Sequence, residues 1–507
     1  MEHAVKMENI TKVFNGTLYA NKNINLFVKH NTIHALVGEN GAGKSTLMSI
    51  LFGLYEPTEG EIFINDSKVK ISNPIVANKL KIGMVHQHFK LVEVKTVWEN
   101  IVLGIESGYG PFVNKNKIKR EITDVMKKYN LFVDLDAKIK DISVGMQQRV
   151  EIIKVLFRQA NIIVFDEPTA VLTPQQIDGF LEIVKNLKNN GKTIIFITHK
   201  IDEIMAVADE ATVIRNGENV AEFKISEIKG DEIPEAMVGR KLVEVKNQYK
   251  NLTGEKILEI FNLTVKKESN PRLDAIQNLS LTINRGEILA IAGLEGSGQK
   301  ELVEALVGLK KQTAGAIVFK GKYVTKLPIV KRKKMGISHV PEDRHKYGLV
   351  LDMSVSENMV LDQISNKEFS NKGLINKSKM KKYSRNIIEE FDVRGARDGD
   401  ALSRALSGGN QQKAIVGREM IKNHDLLIVF QPTRGLDVGA IEFIHEKILE
   451  EKNQNKAVLL ISYELNEIMA LADKIAVINK GKIVKTINAQ GVKKEEIGKL
   501  MAGNNYE

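Results

Sequence analysis

Nine residues, Gly38-Glu39-Asn40-Gly41-Ala42-Gly43-Lys44-Ser45-Thr46, restrict what this chain of 507 residues can fold into more than any other stretch. They fill every fixed position of the pattern G-x-x-x-x-G-K-[ST], which cradles phosphate. Three glycines let backbone N–H groups close around phosphate oxygens with no side chain in the way. Lys44 adds a point charge for the β- and γ-phosphates, and the Ser45 hydroxyl suits Mg²⁺. The flanks agree. Ile33–Val37 is apolar and predicts a buried strand, and Lys44 to Phe52 predicts a helix whose N-terminus faces the anion. Strand, loop and helix in that order point to an α/β fold.

Other strands end in chemistry too. Ile162-Ile163-Val164-Phe165 runs into Asp166-Glu167-Pro168-Thr169, and Thr193–Ile197 runs into Thr198-His199. In open α/β sheets the C-terminal strand edge is where ligands bind, and acids placed there hold Mg²⁺ and polarise water. Phe14 lies upstream of the loop, in a stretch rich in Asn, Gly and Thr. An aromatic there either stacks on a base or packs as an ordinary core or surface residue. Gln87 stands between His86 and His88; the histidines have no evident third ligand, so Gln87 is the informative residue. Ile118, Ile122, Val125, Met126 and Tyr129 follow a helical stripe that predicts a buried face. Ile142-Ser143-Val144-Gly145-Met146-Gln147-Gln148-Arg149 follows it.

In order and type, these elements resemble the nucleotide-binding subunits of ABC transporters, over essentially the whole chain. The resemblance implies ATP and Mg²⁺ as ligands. It implies that Gly38 to Thr46 wrap the triphosphate and that Ser45 and Gln87 touch Mg²⁺, with Asp166 behind them. Glu167 is then the general base, His199 the switch histidine on the γ-phosphate, and Phe14 the adenine-stacking residue.

The second half repeats the first. Gly293-Leu294-Glu295-Gly296-Ser297-Gly298 aligns with the first loop at an offset of 255, and Ser407-Gly408-Gly409 aligns with the Ser143 stretch at 264. The expected division is a first ATPase domain over 1–243, a polar linker over 244–255 and a second domain over 256–507, each domain with a helical subdomain. The two halves are not equal. Opposite Lys44-Ser45 stand Gln299-Lys300, opposite Asp166-Glu167 stand Phe430-Gln431, opposite His199 stands Tyr463 and opposite Gln87 stands Glu342. The second pocket therefore has little hydrolytic chemistry. Conversely, Ser407-Gly408-Gly409 is a full signature motif where the first half has Ser143-Val144-Gly145, and Asp437 fills a position held by Thr173 in the first half. In ABC proteins two units pack head to tail, and the signature of one closes over ATP held by the other. On that geometry the intact parts collect in one site, Lys44 with Ser407, Gly408 and Gly409, and the degenerate parts in the other.

Fused units with one degenerate site look like the ATPases of sugar and nucleoside importers. Gly83–Phe89 and His339-Val340-Pro341-Glu342-Asp343-Arg344-His345 look more like the nucleoside branch than the ribose or galactose branch. The family implies two membrane-spanning permease subunits, an extracytoplasmic substrate-binding lipoprotein and a place at the cytoplasmic face of the membrane. Composition fits. No apolar run approaches the ~18 residues of a membrane span, and no cysteine is present for disulfide or thiolate chemistry. The net charge of +11 comes from lysines spread along the chain, without a basic stripe interleaved with aromatics, so no nucleic acid is expected. A soluble tandem ATPase acting on ribosomes or DNA usually keeps both sites intact; here the linker is short and one site is degenerate. A binding module gated by ATP without turnover fits poorly with Glu167.

Overall fold

Two α/β units follow one plan, as the repeat requires. The computed structural model describes residues 2–86, 89–105, 114–169, 172, 174–228, 232–241, 245–248, 254–268, 270–371 and 374–501. It divides into Met1–Leu242 and Val243–Glu507.

In the first unit a six-stranded sheet is ordered Glu218–Lys224, Glu210–Arg215, Ile33–Val37, Thr193–Ile197, Ile162–Asp166, Ile82–Val85. The last four are parallel neighbours and are buried along their whole length. Continuous apolar strands of this kind need cover on both faces. One face packs against the helix Lys44–Leu51 and a four-stranded antiparallel sheet built on His3–Phe14. The other packs against the helical subdomain. There the helix Lys115–Tyr129 buries Ile118, Ile122, Met126 and Tyr129, with Val125 half-buried at the edge of the stripe. Register aligns the strand ends: Leu36 and Asp166 both pair with Ile197, and Val85 pairs with Phe165. The segments after Val37, Val85, Asp166 and Ile197 therefore leave the sheet on one edge.

The second unit has the same order, Lys482–Asn488, Lys474–Asn479, Ile288–Ala292, Ala457–Ile461, Leu426–Phe430, Ile337–Val340. The extra residues of the second half enter in three places. The offset is 255 at Ile82/Ile337, 258 at Val97/Val355, 262 at Lys115/Lys377 and 264 at Val144/Gly408. The first three accompany a π-turn, Arg344–Gly348, without counterpart among the described residues of the first unit. The next four accompany a small hairpin, Ser370–Asn371 with Leu374–Ile375.

Both units pin the start of the central strand with a buried or half-buried ion pair. Lys188 meets Asp209 at 2.6 Å, while Asp209 Oδ2 accepts from Ile33 N. Lys452 meets Asp473 at 2.6 Å, while Asp473 Oδ2 accepts from Ile288 N. Among the described residues only the second pair has a cover. Asn247, inside the stretch read as linker, is 8% exposed and donates to Leu471 O and Asp473 Oδ1, each at 3.0 Å. Its carbonyl accepts from Lys452. The connecting segment is thus strapped to the second unit before Lys256.

Asn247→Ala leaves a buried ammonium and a carboxylate short of a partner. It is expected to cost the second unit about 1–3 kcal/mol. Peptide-resolved hydrogen exchange should show protection falling around Val458 and Ile475 and holding around Ile33–Val37. Unchanged protection in both regions would show that Asn247 only rests on the surface.

Candidate active site

The strand Ile33–Val37 delivers the chain to the sheet edge at Gly38. A Cβ there would stand 2.1 Å from Ile214 O, and one at Gly43 2.3 Å from Ala20 O, so neither position admits a side chain. Gly41 and Gly43 have φ of 86° and 103°, a region closed to most other residues. Asn21, fully buried, donates from Nδ2 to Gly43 O at 3.1 Å and sets the last turn of the loop. Lys44 is 5% exposed, and its Nζ donates to Gly38 O at 2.7 Å and Glu39 O at 2.8 Å. The ammonium sits in the curl of a loop that runs through Glu39, Asn40, Ala42 and on to Ser45 and Thr46.

Ser45 Oγ donates to Asp166 Oδ1 at 3.2 Å. Burial, and then the neighbouring Glu167, push the Asp166 carboxyl above its usual range. Glu167 shifts the other way: His199, with Nδ1 3.4 Å from Oε1, holds it below the ordinary range against the opposing effect of burial. At 3.4 Å the pair is electrostatic rather than a well-formed hydrogen bond. Two adjacent carboxyls with opposite shifts are suited to different tasks. Glu167 is held in its anionic form, while Asp166 is the group that a nearby cation would hold ionised. Ser45 and Asp166 supply few, hard oxygen donors. That set fits Mg²⁺, which keeps waters and phosphate oxygens as its remaining ligands. Among the described residues no group of three or more His, Asp or Glu forms a self-sufficient metal cage.

The backbone here is strained. Glu167 has φ of 44°, and its N–H donates to Ile197 O at 3.0 Å across to the next strand. A left-handed non-glycine residue costs about 1–3 kcal/mol and persists only when its surroundings fix it. Two residues missed from the sequence supply part of that fixing. Glu203, 3% exposed, accepts from Thr169 Oγ1 at 2.6 Å and Thr198 Oγ1 at 3.0 Å, tying together the segments after both strands. Gln148 donates to Pro168 O at 2.8 Å from the helix Val144–Phe157. The repeat carried a signal for both, since Glu467 and Gln412 stand 264 positions further on.

Of the other expected residues, Gln87 lies outside the described residues, as does Thr173. Phe14 is half-buried and meets Tyr55 edge-on at 5.3 Å, with Lys12 above its ring. Ser143 caps the helix Val144–Phe157, and Gly145 lies beside Gln176.

The second unit keeps the backbone and changes the chemistry. Gly296 and Gly298 have φ of 85° and 109°, and a Cβ on Gly293 would stand 2.5 Å from Ile478 O. Gln299 is 1% exposed and donates to Leu294 O at 3.1 Å, so a neutral amide occupies the place of the Lys44 ammonium. Lys300 is solvent-exposed, 3.8 Å from Glu268 and from Glu304. Gln431 repeats the left-handed turn, with φ of 51° and its N–H donating to Ile461 O at 2.8 Å. Phe430 packs edge-on against Tyr463 at 6.2 Å, where the first unit has Asp166 and His199. Burial comes first in holding the Tyr463 phenol far above its usual range. Burial also raises the Glu342 carboxyl, which is 3.2 Å from Arg434. Ser407 caps the helix Gly408–Met420, and Asp437 caps Val438–Asn453 by accepting from Ala440 N at 2.9 Å. A Cβ on Gly409 would stand 3.6 Å from Asp437 Oδ2, so signature and Asp437 share one surface.

The family profile described as ABC transporter matches residues 21–170 and 276–434. The guanosine import ATP-binding protein NupO of Bacillus subtilis is 49% identical over 504 residues, covering 99% of this chain and 98% of that protein. The nucleoside import ATP-binding protein NupA of Lactococcus lactis is 47% identical over 504 residues, covering 99% of each. A putative carbohydrate transport ATP-binding protein of Mycoplasma pneumoniae is 44% identical over 566 aligned positions, covering 98% of this chain and 99% of that protein.

Gly43→Ala puts a methyl group against Ala20 O at a left-handed position. At about 1–3 kcal/mol of strain, it is expected to weaken ATP binding about 5- to 150-fold. Titration with a fluorescent ATP analogue reads this directly, and unchanged affinity would contradict the role given to the loop.

Proposed function

The chain belongs to the ABC transporter family and is an ATPase of that family; we propose that it energises an importer of nucleosides. The observation that carries the substrate class is full-length identity of 49% and 47% to proteins named for guanosine and nucleoside import. Among the described residues no helix is long and apolar enough to cross a membrane. On this reading the chain docks at the cytoplasmic face on two membrane-spanning permease subunits. An extracytoplasmic substrate-binding lipoprotein delivers the nucleoside, and no nucleic acid takes part.

Turnover is assigned to the first pocket. Lys44 and the loop amides take the β- and γ-phosphates, with Phe14 against the adenine. Ser45 and Gln87, with Asp166 behind them, would hold Mg²⁺, which would supply positive charge for the phosphate oxygens. Glu167, kept anionic by His199, accepts a proton from the attacking water, which is aligned for in-line displacement. His199 would face the same γ-phosphate. The two domains close as a sandwich within the one chain. Ser407, Gly408 and Gly409 complete the Lys44 pocket, and Ser143 and Gly145 face the pocket of Gly293, Gly298, Gln299, Lys300, Phe430, Gln431, Tyr463 and Glu342. Support for a second pocket with little hydrolytic chemistry comes from Gln299, which has no charge to neutralise phosphate, and Phe430, which has no oxygen for Mg²⁺.

Two measurements test the reading. Cells depleted of the protein should lose uptake of labelled guanosine or uridine, and Glu167→Gln should fail to restore it, since loss of a general base costs on the order of 10²–10⁴ in rate. If nucleoside uptake survives and that of a pentose or hexose is lost, carbohydrate is the cargo, as the name of the Mycoplasma relative suggests.

The sandwich is tested by matched substitutions at aligned positions. Gly409→Asp is expected to abolish phosphate release by the full-length chain, and Gly145→Asp to reduce it much less. The reverse order would show that each unit completes its own site.

A further inference from the structure

Lys12, Phe14 and Tyr55 form a cluster in the first unit that the account above uses only in part. Phe14 ends the strand His3–Phe14, and Tyr55 follows the phosphate-loop helix Lys44–Leu51. The backbone sews the two segments together. Thr58 N donates to Thr11 O at 2.8 Å, and Val13 N donates to Thr58 Oγ1 at 3.1 Å. Tyr55 N donates to Ser49 O at 3.4 Å, so its ring is carried by the helix that starts at Lys44. With the backbones tied, the side chains meet. Tyr55 is 45% exposed and stands edge-on to Phe14, with 5.3 Å between ring centres and 81° between planes. The Lys12 ammonium donates to Glu56 O at 2.7 Å and lies over both rings, 5.4 Å from the centre of Phe14 and 5.8 Å from that of Tyr55. Both distances are within the range at which a cation and a ring face attract.

The second unit keeps the scaffold of this cluster and none of its side chains. Thr313 N donates to Thr264 O at 2.8 Å, repeating the tie between Thr58 and Thr11. Lys310 N donates to Glu304 O at 3.0 Å, repeating that between Tyr55 and Ser49. Register fixes the alignment. Val5 pairs with Ile64, and Leu258 pairs with Phe319, so the offset is 253 along the first strand and 255 beyond the loop. Val265 then stands for Lys12, Lys267 for Phe14 and Lys310 for Tyr55. The backbone ties therefore form without the three side chains. All three are present beside the complete phosphate loop, and all three are replaced beside the loop that has Gln299 in place of Lys44. A cluster that served only to hold the strand end would be as useful in one unit as in the other.

We propose that Tyr55 and Lys12 are positioning residues: they hold the Phe14 ring as the platform on which the adenine of ATP stacks. The inference rests on the reading of Phe14 as the residue against the adenine. A lone ring at the end of a strand turns about its side-chain bonds, and a base that stacks on it has to order it first. An edge-on partner and a cation above one face remove that freedom before the nucleotide arrives, and they leave the opposite face for the base. Because the phosphate-loop helix carries Tyr55, the platform is also fixed relative to the phosphates. Tyr55 and Lys12 then act on the part of the affinity that depends on the base, and not on the part due to the phosphate groups.

The test compares the affinity of the full-length chain for ATP with that for inorganic tripolyphosphate, which lacks the base. Both are titrated by calorimetry with Mg²⁺ in a Glu167→Gln background, and melting temperature is recorded alongside. Tyr55→Leu is expected to weaken ATP binding about 2- to 10-fold and Lys12→Met about 2- to 5-fold, with the affinity for tripolyphosphate unchanged. Tyr55→Phe, which keeps the ring, should match the parent. In a Phe14→Leu background Tyr55→Leu should cost nothing more, since the ring it holds is gone. Equal losses for ATP and tripolyphosphate would show that the cluster only shapes the phosphate loop, and would overturn the proposal. So would unchanged ATP affinity in both variants, or a full additional loss in the Phe14→Leu background. If Tyr55→Leu does not fold, Lys12→Met is read by the same criteria. Phe14→Leu alone separates the two readings. If it loses base-dependent affinity while Tyr55→Leu and Lys12→Met do not, Phe14 meets the base and this inference fails. If it binds ATP as the parent does, the reading of Phe14 itself is wrong.

Discussion

Parallel pairing of four short strands is the constraint on which everything else depends. Ile33–Val37, Thr193–Ile197, Ile162–Asp166 and Ile82–Val85 run in one direction, in register, with their sides buried. Their C-terminal ends therefore meet at one edge, although the residues they deliver are up to 161 positions apart, from Gly38 to His199. A side chain cannot follow Asp166 or Ile197 without arriving beside the loop that follows Val37. The strain at Glu167 depends on the same pairing, since its N–H reaches Ile197 O only while the two strands stay aligned. Glu203 and Gln148 then lock the segments beyond the strand ends, one from the helix Ile201–Val207 and the other from the helical subdomain.

The second unit shows that scaffold and chemistry separate cleanly. Its strand order, its left-handed residue after the acid strand and its loop glycines persist, while the groups that handle charge do not. An ammonium buried to 5% exposure becomes an amide, which avoids the desolvation of a charge. A carboxylate and an imidazole become a phenyl and a phenol ring in edge-on contact. These changes replace an ionic pocket by one without buried charge at the same positions.

Much of this was legible in advance. The phosphate loop names its own residues, because the spacing of glycine, lysine and serine is set by the size of a phosphate group and by the reach of backbone amides. The buried strands are legible because a sheet covered on both faces needs unbroken apolar runs. The stripe at Ile118, Ile122, Met126 and Tyr129 is legible for the matching reason in a helix. The asymmetry of the two halves is a matter of aligning residues, and it needs no coordinates. Glu203 was legible only through its repeat partner Glu467; taken alone, a single acid in a short helix looks like any solvated one until Thr169 and Thr198 are seen to converge on it.

The sequence by itself determined the fold class, the repeat, the family and the side chains available at each strand end, since local pattern and spacing carry those directly. Tertiary structure alone decided the opposite pKa shifts of Asp166 and Glu167, which follow from burial and from His199, 32 positions away. It decided that Asn247 belongs to the second unit, because a polar residue reads as linker until a buried ion pair is found beneath it. It also decided the setting of Arg344. Three inserted residues accompany a π-turn, and that turn sets a guanidinium on a glycine 64 positions further along the chain. Contacts of that range depend on how elements pack, and packing distance leaves no mark in the spacing of residues along a sequence.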